Sequence, residues 1–157
     1  MIVRAATFED KDIVLSLLDE FRADCIEQVT GNPGESNTAR TGGKAMYDSL
    51  LSRSDYGIFL LIDETNSDVA GIITGYLCPM LRSGGMRAEV EEFFIRKQNR
   101  GNGNAEKLMD AFQDWCKKNN VKKINLESEN ELLRAHSFYM KYGFETKAQR
   151  FIKKLGN

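Results

Sequence analysis

The chain is poor in several things that would each point to a function. It has one histidine, His136, so a multi-histidine metal site is excluded. Its three cysteines, Cys25, Cys78 and Cys116, are far apart and odd in number. That leaves no disulfide framework and no C-x-x-C pair for zinc. No apolar run approaches the length of a membrane helix, and Met1 to Phe8 carries no apolar signal region. There is no basic excess either: Lys plus Arg is 22 and Asp plus Glu is 23, a formal charge of −1. A nucleic-acid or anionic-membrane partner normally demands such an excess. Internal repeats, low-complexity stretches and linkers are also missing. What remains, 157 residues with 41% hydrophobic and 29% charged side chains, predicts a single soluble cytoplasmic domain spanning 1–157.

Periodicity predicts the elements. Ile2–Ala6 reads as a short strand. Thr7 with Asp10 resembles a capping box, and Ile13, Val14, Leu17, Leu18, Phe21 and Cys25 recur at helical spacing. A helix from Glu9 to about Val29 follows. Thr30–Gly43 holds Gly31, Pro33, Gly34, Gly42 and Gly43 and reads as a mobile loop. Lys44–Ser52 fits a short helix. Tyr56–Ile62 and Val69–Leu77 read as a hairpin. Arg82–Arg87 reads as a loop and Ala88–Ile95 as a strand. A helix begins near Ala105 and ends near Asn119–Asn120, and Val121–Leu126 is a strand. Leu132–Tyr142 is a helix with Gly143 after it as a C′ residue. Phe144 to about Lys154 reads as one or two closing strands. The order predicts an α/β or α+β sheet of mixed direction, covered on both faces by helices.

The most informative stretch runs from Glu91 to Ala105. A strand enters a small-residue turn, and the turn opens a helix. Glycine permits positive φ and close backbone approach. The first helical turn leaves N–H groups unpaired and carries partial positive charge. Together they suit a phosphate or diphosphate. No Gly-Lys-Ser or Gly-Lys-Thr follows, so the segment is not a P-loop. A dinucleotide fingerprint fails at Glu106, where a third small residue is required.

Arg100-x-x-Gly103-x-Ala105 resembles the Q/R-x-x-G-x-G/A signature of the GNAT family of N-acetyltransferases. Ala135-His136-Ser137-Phe138-Tyr139-Met140-Lys141-Tyr142-Gly143-Phe144 resembles the same family's A-x-x-F-Y-x-x-x-G-F segment. The resemblance covers nearly the whole chain. It implies a mixed, mostly antiparallel sheet whose two central parallel strands, ending at Ile95 and Leu126, splay apart. It also implies acetyl-coenzyme A, with Arg100, Gly101, Asn102, Gly103, Asn104 and Ala105 at its diphosphate. Phe93, Phe94 and Ile95 would pair with its arm through their backbone. Tyr139 matches the family tyrosine near the sulfur, a proton donor. Glu91 and Glu127 match acids that serve as base or attract the amine, and no metal is implied. One departure stands out: family members often carry Asn three residues before the Ala, where this chain has Leu132, with Asn130 two residues earlier.

Strand alternation predicts Glu89 and Glu91 on one face and Glu92 on the other. The remaining candidates have blander readings. His136 fits a surface or packing position, and the cysteines fit small buried hydrophobes. Trp115 fits the core. Arg82 and Arg87 fit exposed loop arginines. The expected activity is acetyl transfer to a primary amine, small-molecule or peptide, by direct attack. The alternatives are an acyl-coenzyme A sensor of the same fold, and an acetyltransferase for protein N-termini or aminoacyl-tRNA. A homodimer is compatible with all of these.

Overall fold

The computed structural model describes residues 1–156. Five strands form one sheet in chain order: β1 (Ile2–Ala5), β2 (Tyr56–Ile62), β3 (Val69–Met80), β4 (Gly85–Ile95) and β5 (Val121–Leu126). The first four are antiparallel, and β5 joins β4 in parallel. Four helices cover the sheet: α1 (Lys11–Thr30), α2 (Lys44–Leu51), α3 (Asn104–Lys118) and α4 (Leu133–Tyr142). The mixed α/β architecture read from the sequence is the one observed.

Two cores lie on opposite faces of this sheet. Val14, Leu17 and Tyr47 of α1 and α2 pack with Ile58, Leu60, Ile72 and Phe94. Leu108, Met109, Phe112 and Cys116 of α3 pack with Leu61, Ile73, Ala88 and Val90, and α4 adds Phe138, Tyr139 and Tyr142. Alternation along the strands sends neighbouring residues to different faces, which is why these apolar runs are continuous. Gly75 lets α3 approach closely: a Cβ there would lie 2.6 Å from Phe112 Cζ and 2.3 Å from Glu89 O.

The start of α1 follows its expected logic with one shift. Phe8–Asp10 forms a 3-10 turn, and Asp10 Oδ2 accepts the Thr7 N–H at 2.7 Å, the acid half of a capping box.

Two segments depart from expectation. Thr30–Gly43 was expected to be mobile, but it is tied down. Buried Asp19 of α1 accepts N–H groups from Ala39 (2.9 Å) and Arg40 (3.3 Å), the Arg40 Nε (2.8 Å) and the Ser36 hydroxyl (3.1 Å). Ala39–Gly43 then winds into α2. The second departure is the closing strands, which do not form. No strand is found over 144–156, and Phe151 (89%), Ile152 (73%) and Leu155 (84%) stand exposed. Lys122 and Lys123 guard the outer edge of β5, and the tail carries Lys147, Arg150, Lys153 and Lys154. Like charges along a free edge oppose pairing. Among the described residues, no helix is long and apolar enough to cross a membrane.

Phe112 is fully buried between the sheet and α3. Phe112→Ala is expected to cost about 3–5 kcal/mol of stability. Urea unfolding would show it as a lower midpoint at unchanged slope.

Candidate active site

The site arises where β4 and β5 part. Their pairing runs from Met86↔Val121 to Val90↔Leu126 and then stops, while β4 continues to Ile95. Past Val90 the β5 side of β4 has no strand partner. A cavity of about 280 Å³ occupies the gap. It is walled by β4, by α1 through Phe21, Asp24 and Cys25, and by α4 through Ala135, Phe138 and Tyr139. The open cleft beside α1, about 610 Å³ and lined in part by Asp19, Ser36 and Arg40, has its buried Asp19 carboxylate already satisfied by the chain.

A bulge sets the chemistry of β4. Thr74 pairs with Glu92 and Gly75 with Val90, so Glu91 is the extra residue. The alternation predicted from the sequence breaks there. Tyr56↔Tyr76↔Glu89 and Ile58↔Thr74↔Glu92 are ladders two residues apart on β2. Glu89 and Glu92 therefore share the α1–α2 face, correcting the expected split. Glu91 sits exposed at the bulge.

Glu92 is the acid that simple alternation misplaced. Its carboxylate contacts the Thr74 hydroxyl, and its N–H reaches the same oxygen at 3.3 Å. Burial, with the charge of Glu91 beside it, pushes its pKa up to about 7. Burial, then the charge of Glu92, also raises the Tyr56 phenol. Glu127 is exposed at the cavity rim and pairs with Arg150 of the tail. Tyr139 packs against Phe93, Phe138 and Phe144 at centroid distances of 6.2, 5.7 and 5.8 Å. Burial, with a smaller contribution from Cys25, pushes its phenol up to about 12.

The turn before α3 is built from left-handed residues: Gly101 (φ 90°), Asn102 (φ 54°) and Gly103 (φ 73°). Glycine is the residue that adopts this conformation without strain, and Asn tolerates it. Gly101 O accepts the Asn104 N–H (3.1 Å) and Gly103 O the Lys107 N–H (3.0 Å). Ala105 and Glu106 lie between them in the first helical turn, whose amides lack intrahelical acceptors. Arg100, Gly101 and Ala105 line the cavity together with Phe93, Phe94 and Ile95. Asn102, Gly103 and Asn104 shape the turn instead, and the buried Asn104 donates to Asn99 O at 2.8 Å.

The guanidinium of Arg100 is already engaged. Its Nε donates to Ile95 O and its Nη2 to Asp24 Oδ2, both at 2.8 Å. Asp24 belongs to an acidic stripe on α1, spaced i, i+4, i+7, and each member holds a cation of the turn. Glu20 takes Arg96 through two bonds (2.7 and 2.6 Å), Asp24 takes Arg100, and Glu27 takes Lys97 (2.6 Å). Leu132 is buried in the cavity wall where family members often have Asn, and Asn130 is exposed.

The model of the acetyltransferase (GNAT) family matches residues 18–144. The chain belongs to this family. No curated protein sequence matches it. Solved structures do. A mutant of a Bacillus halodurans protein aligns with TM-score 0.79 at 21% identity, covering 99% of each chain. A ribosomal-protein-alanine N-acetyltransferase from Brucella melitensis biovar Abortus aligns with TM-score 0.74 at 14% identity, covering 99% of this chain and 100% of that one. An aminoglycoside acetyltransferase from an uncultured soil metagenomic sample gives TM-score 0.77 at 15% identity, covering 98% and 97%. At these identities they share the fold. For a GNAT acetyltransferase, the parted strands, the left-handed turn and the aromatic wall of Tyr139 form one continuous cavity.

A Cβ on Gly103 would meet nothing within 4 Å, so its conformation alone demands glycine. Gly103→Val is expected to cost about 1–2 kcal/mol from backbone strain. Gly103→Asn should cost less, because Asn tolerates the left-handed region. Thermal unfolding of the two variants beside wild type checks the order.

Proposed function

We propose that this acetyltransferase moves an acetyl group from acetyl-coenzyme A to a primary amine by direct attack. The observation that carries the reading is the unpaired run of β4 past Val90, facing a cavity that ends at the left-handed turn. The residues fit the cofactor in three ways. The open edge of Phe93–Ile95 offers backbone groups to an amide-bearing arm. The amides of Gly101, Asn102, Gly103 and Ala105, at a helix N-terminus, suit a diphosphate. A buried Ser128 hydroxyl in the cavity has no partner within the chain. When bound, acetyl-coenzyme A supplies an acetyl thioester, the electrophile of the reaction.

The chain's own groups supply the proton handling. Glu92, with a pKa of about 7, is half ionised at neutral pH, the condition that favours a general base. It takes the proton of the substrate ammonium, directly or through water. Glu91, exposed at the bulge, adds negative charge that draws a cationic amine, while Glu127 at the rim contributes once Arg150 of the tail releases it. Tyr139 keeps its proton up to about pH 12 and donates it to the leaving thiolate. No Ser or Cys is paired with a base in the cavity, which favours direct attack over a covalent enzyme intermediate. Held geometry contributes the rest of the rate.

Tyr139→Phe is expected to lower kcat about 100-fold or more while the dissociation constant of coenzyme A changes little. Equal loss in both would assign the phenol to packing. If Glu92 is the base, kcat/KM rises about tenfold per pH unit below pH 7 and levels off above it. Glu92→Gln removes that limb. Stability moves the other way. A carboxyl with its folded pKa raised binds its proton more tightly in the native state, so its contribution is present at low pH and is lost as pH rises toward 7. Glu92→Gln should therefore melt higher than wild type at pH 8, a difference that shrinks below pH 4.5. A Glu92→Gln enzyme with an unchanged pH profile would remove Glu92 from the mechanism.

A further inference from the structure

Three buried side-chain atoms among the described residues lack a hydrogen-bond partner: Asp24 Oδ1, Ser128 Oγ and Arg87 Nε. Arg87 Nε still sits 2.9 Å from Glu89 Oε1 in an ion pair. The other two line the same cavity between β4 and β5. A buried polar group without a partner is costly, and native proteins keep few of them. Two in one cavity point to a ligand that completes both.

The two atoms restrict what that ligand carries. An ionised carboxylate only accepts hydrogen bonds. Asp24 Oδ2 already takes N–H groups from Arg100 (2.8 Å) and Gln28 (2.7 Å), which holds the group in place. Lys97 Nζ stands 3.7 Å from Oδ1, beyond hydrogen-bond range. Oδ1 therefore waits for an incoming N–H or O–H. Ser128 reaches the cavity from the other side of the gap, two residues past β5, and its hydroxyl can donate or accept. A diphosphate brings acceptors and negative charge, and so cannot complete Asp24. An amide brings N–H and C=O together and can complete both.

We propose that Asp24 and Ser128 grip the amide-bearing arm of the acyl carrier, as positioning residues that read the arm and not the nucleotide. This inference rests on the acetyl-coenzyme A reading above. Neither residue belongs to the turn or to the Tyr139 segment that carry the family resemblance. The expected division of labour gives the nucleotide's diphosphate to the turn amides, and the arm to α1 and the end of β5.

Titration calorimetry with two ligands tests it: coenzyme A, and 3′-phospho-ADP, which has the same nucleotide and diphosphate but no arm. The ratio of their dissociation constants cancels effects at the diphosphate, which matters because Asp24 also holds Arg100. Ser128→Ala should weaken coenzyme A about 5–10-fold and leave 3′-phospho-ADP within twofold. Asp24→Asn should shift the ratio in the same direction. Without ligand, Ser128→Ala should melt at or above the wild-type temperature, because an unsatisfied hydroxyl has gone, and coenzyme A should then raise its melting temperature less than it does for wild type. An unchanged ratio in Ser128→Ala, or a lower melting temperature for the free variant, overturns the grip. Should Asp24→Asn fail to fold, Ser128→Ala decides alone. Wild type that binds neither ligand overturns the acetyl-coenzyme A reading itself, which separates the two failures.

Discussion

The site depends on the place where a parallel strand pair stops. β5 follows β4 only as far as Val90↔Leu126, and β4 runs on alone to Ile95. Backbone N–H and C=O groups are obligatory hydrogen-bonding groups, so a strand edge with no partner demands water or a ligand. One wall of the gap is aromatic. Phe93, Phe138, Tyr139 and Phe144 form a packed aromatic wall, with Phe93 and Phe138 centroids 5.4 Å apart. Their contacts are internal to β4 and the α4 region, so the wall is preformed, and a preformed site spends less binding energy on ordering itself.

The other half of the site is held by charge. Turn residues 96–100 would be a loose basic loop without α1, whose Glu20, Asp24 and Glu27 face it in a row. These pairs differ in weight. Lys97–Glu27 is largely exposed, and such pairs contribute about 0–1 kcal/mol. Arg100–Asp24 is mostly buried, so either partner alone would leave an uncompensated charge. The buried pair therefore fixes the register between α1 and the turn, and the exposed one merely follows. With its charge neutralised by Asp24, Arg100 acts more as a strut between α1, Ile95 and the turn than as a free cation. On the proposed reading, anion capture then falls mainly to main-chain amides.

Elements with strong periodicity were legible. The 3.6-residue recurrence from Ile13 to Cys25 gave α1, the apolar run Tyr56–Ile62 gave β2, and Gly143 at φ 103° closed α4 as expected. The turn at 100–105 was legible through its glycines. Three things were not. The bulge at Glu91 leaves no composition signal, because one extra residue in a strand looks like any other, yet it reverses which face Glu92 occupies. The partnership of Asp24 with Arg100 spans 76 residues of chain, and only the i, i+4, i+7 acids of α1 hint at it. The tail from Phe144 has strand-like residues, but strand propensity describes fit to a neighbouring strand. The lysine-bearing edge of β5 offers it none.

Burial explains why the proposed proton carriers sit where they do. Glu92 and Tyr139 are both pushed above their ordinary values by the same cause, removal from water, with opposite consequences for charge at neutral pH. The carboxyl moves into the range where it can hold or release a proton. The phenol moves further from ionisation and stays a donor. Burial thus acts separately on the two faces of the sheet, on the carboxyl on the α1–α2 side and on the phenol on the α3–α4 side, with the charge of Glu91 adding to the rise at Glu92. Glu92 destabilises the native state when ionised, because its charge lacks a cationic partner, and the Thr74 hydroxyl offsets only part of that cost. A core chosen for stability alone would place an apolar side chain there. A carboxyl nevertheless occupies this inward position of β4, facing the α1–α2 core, and a buried, perturbed carboxyl of this kind is the feature on which the proposed general-base role rests.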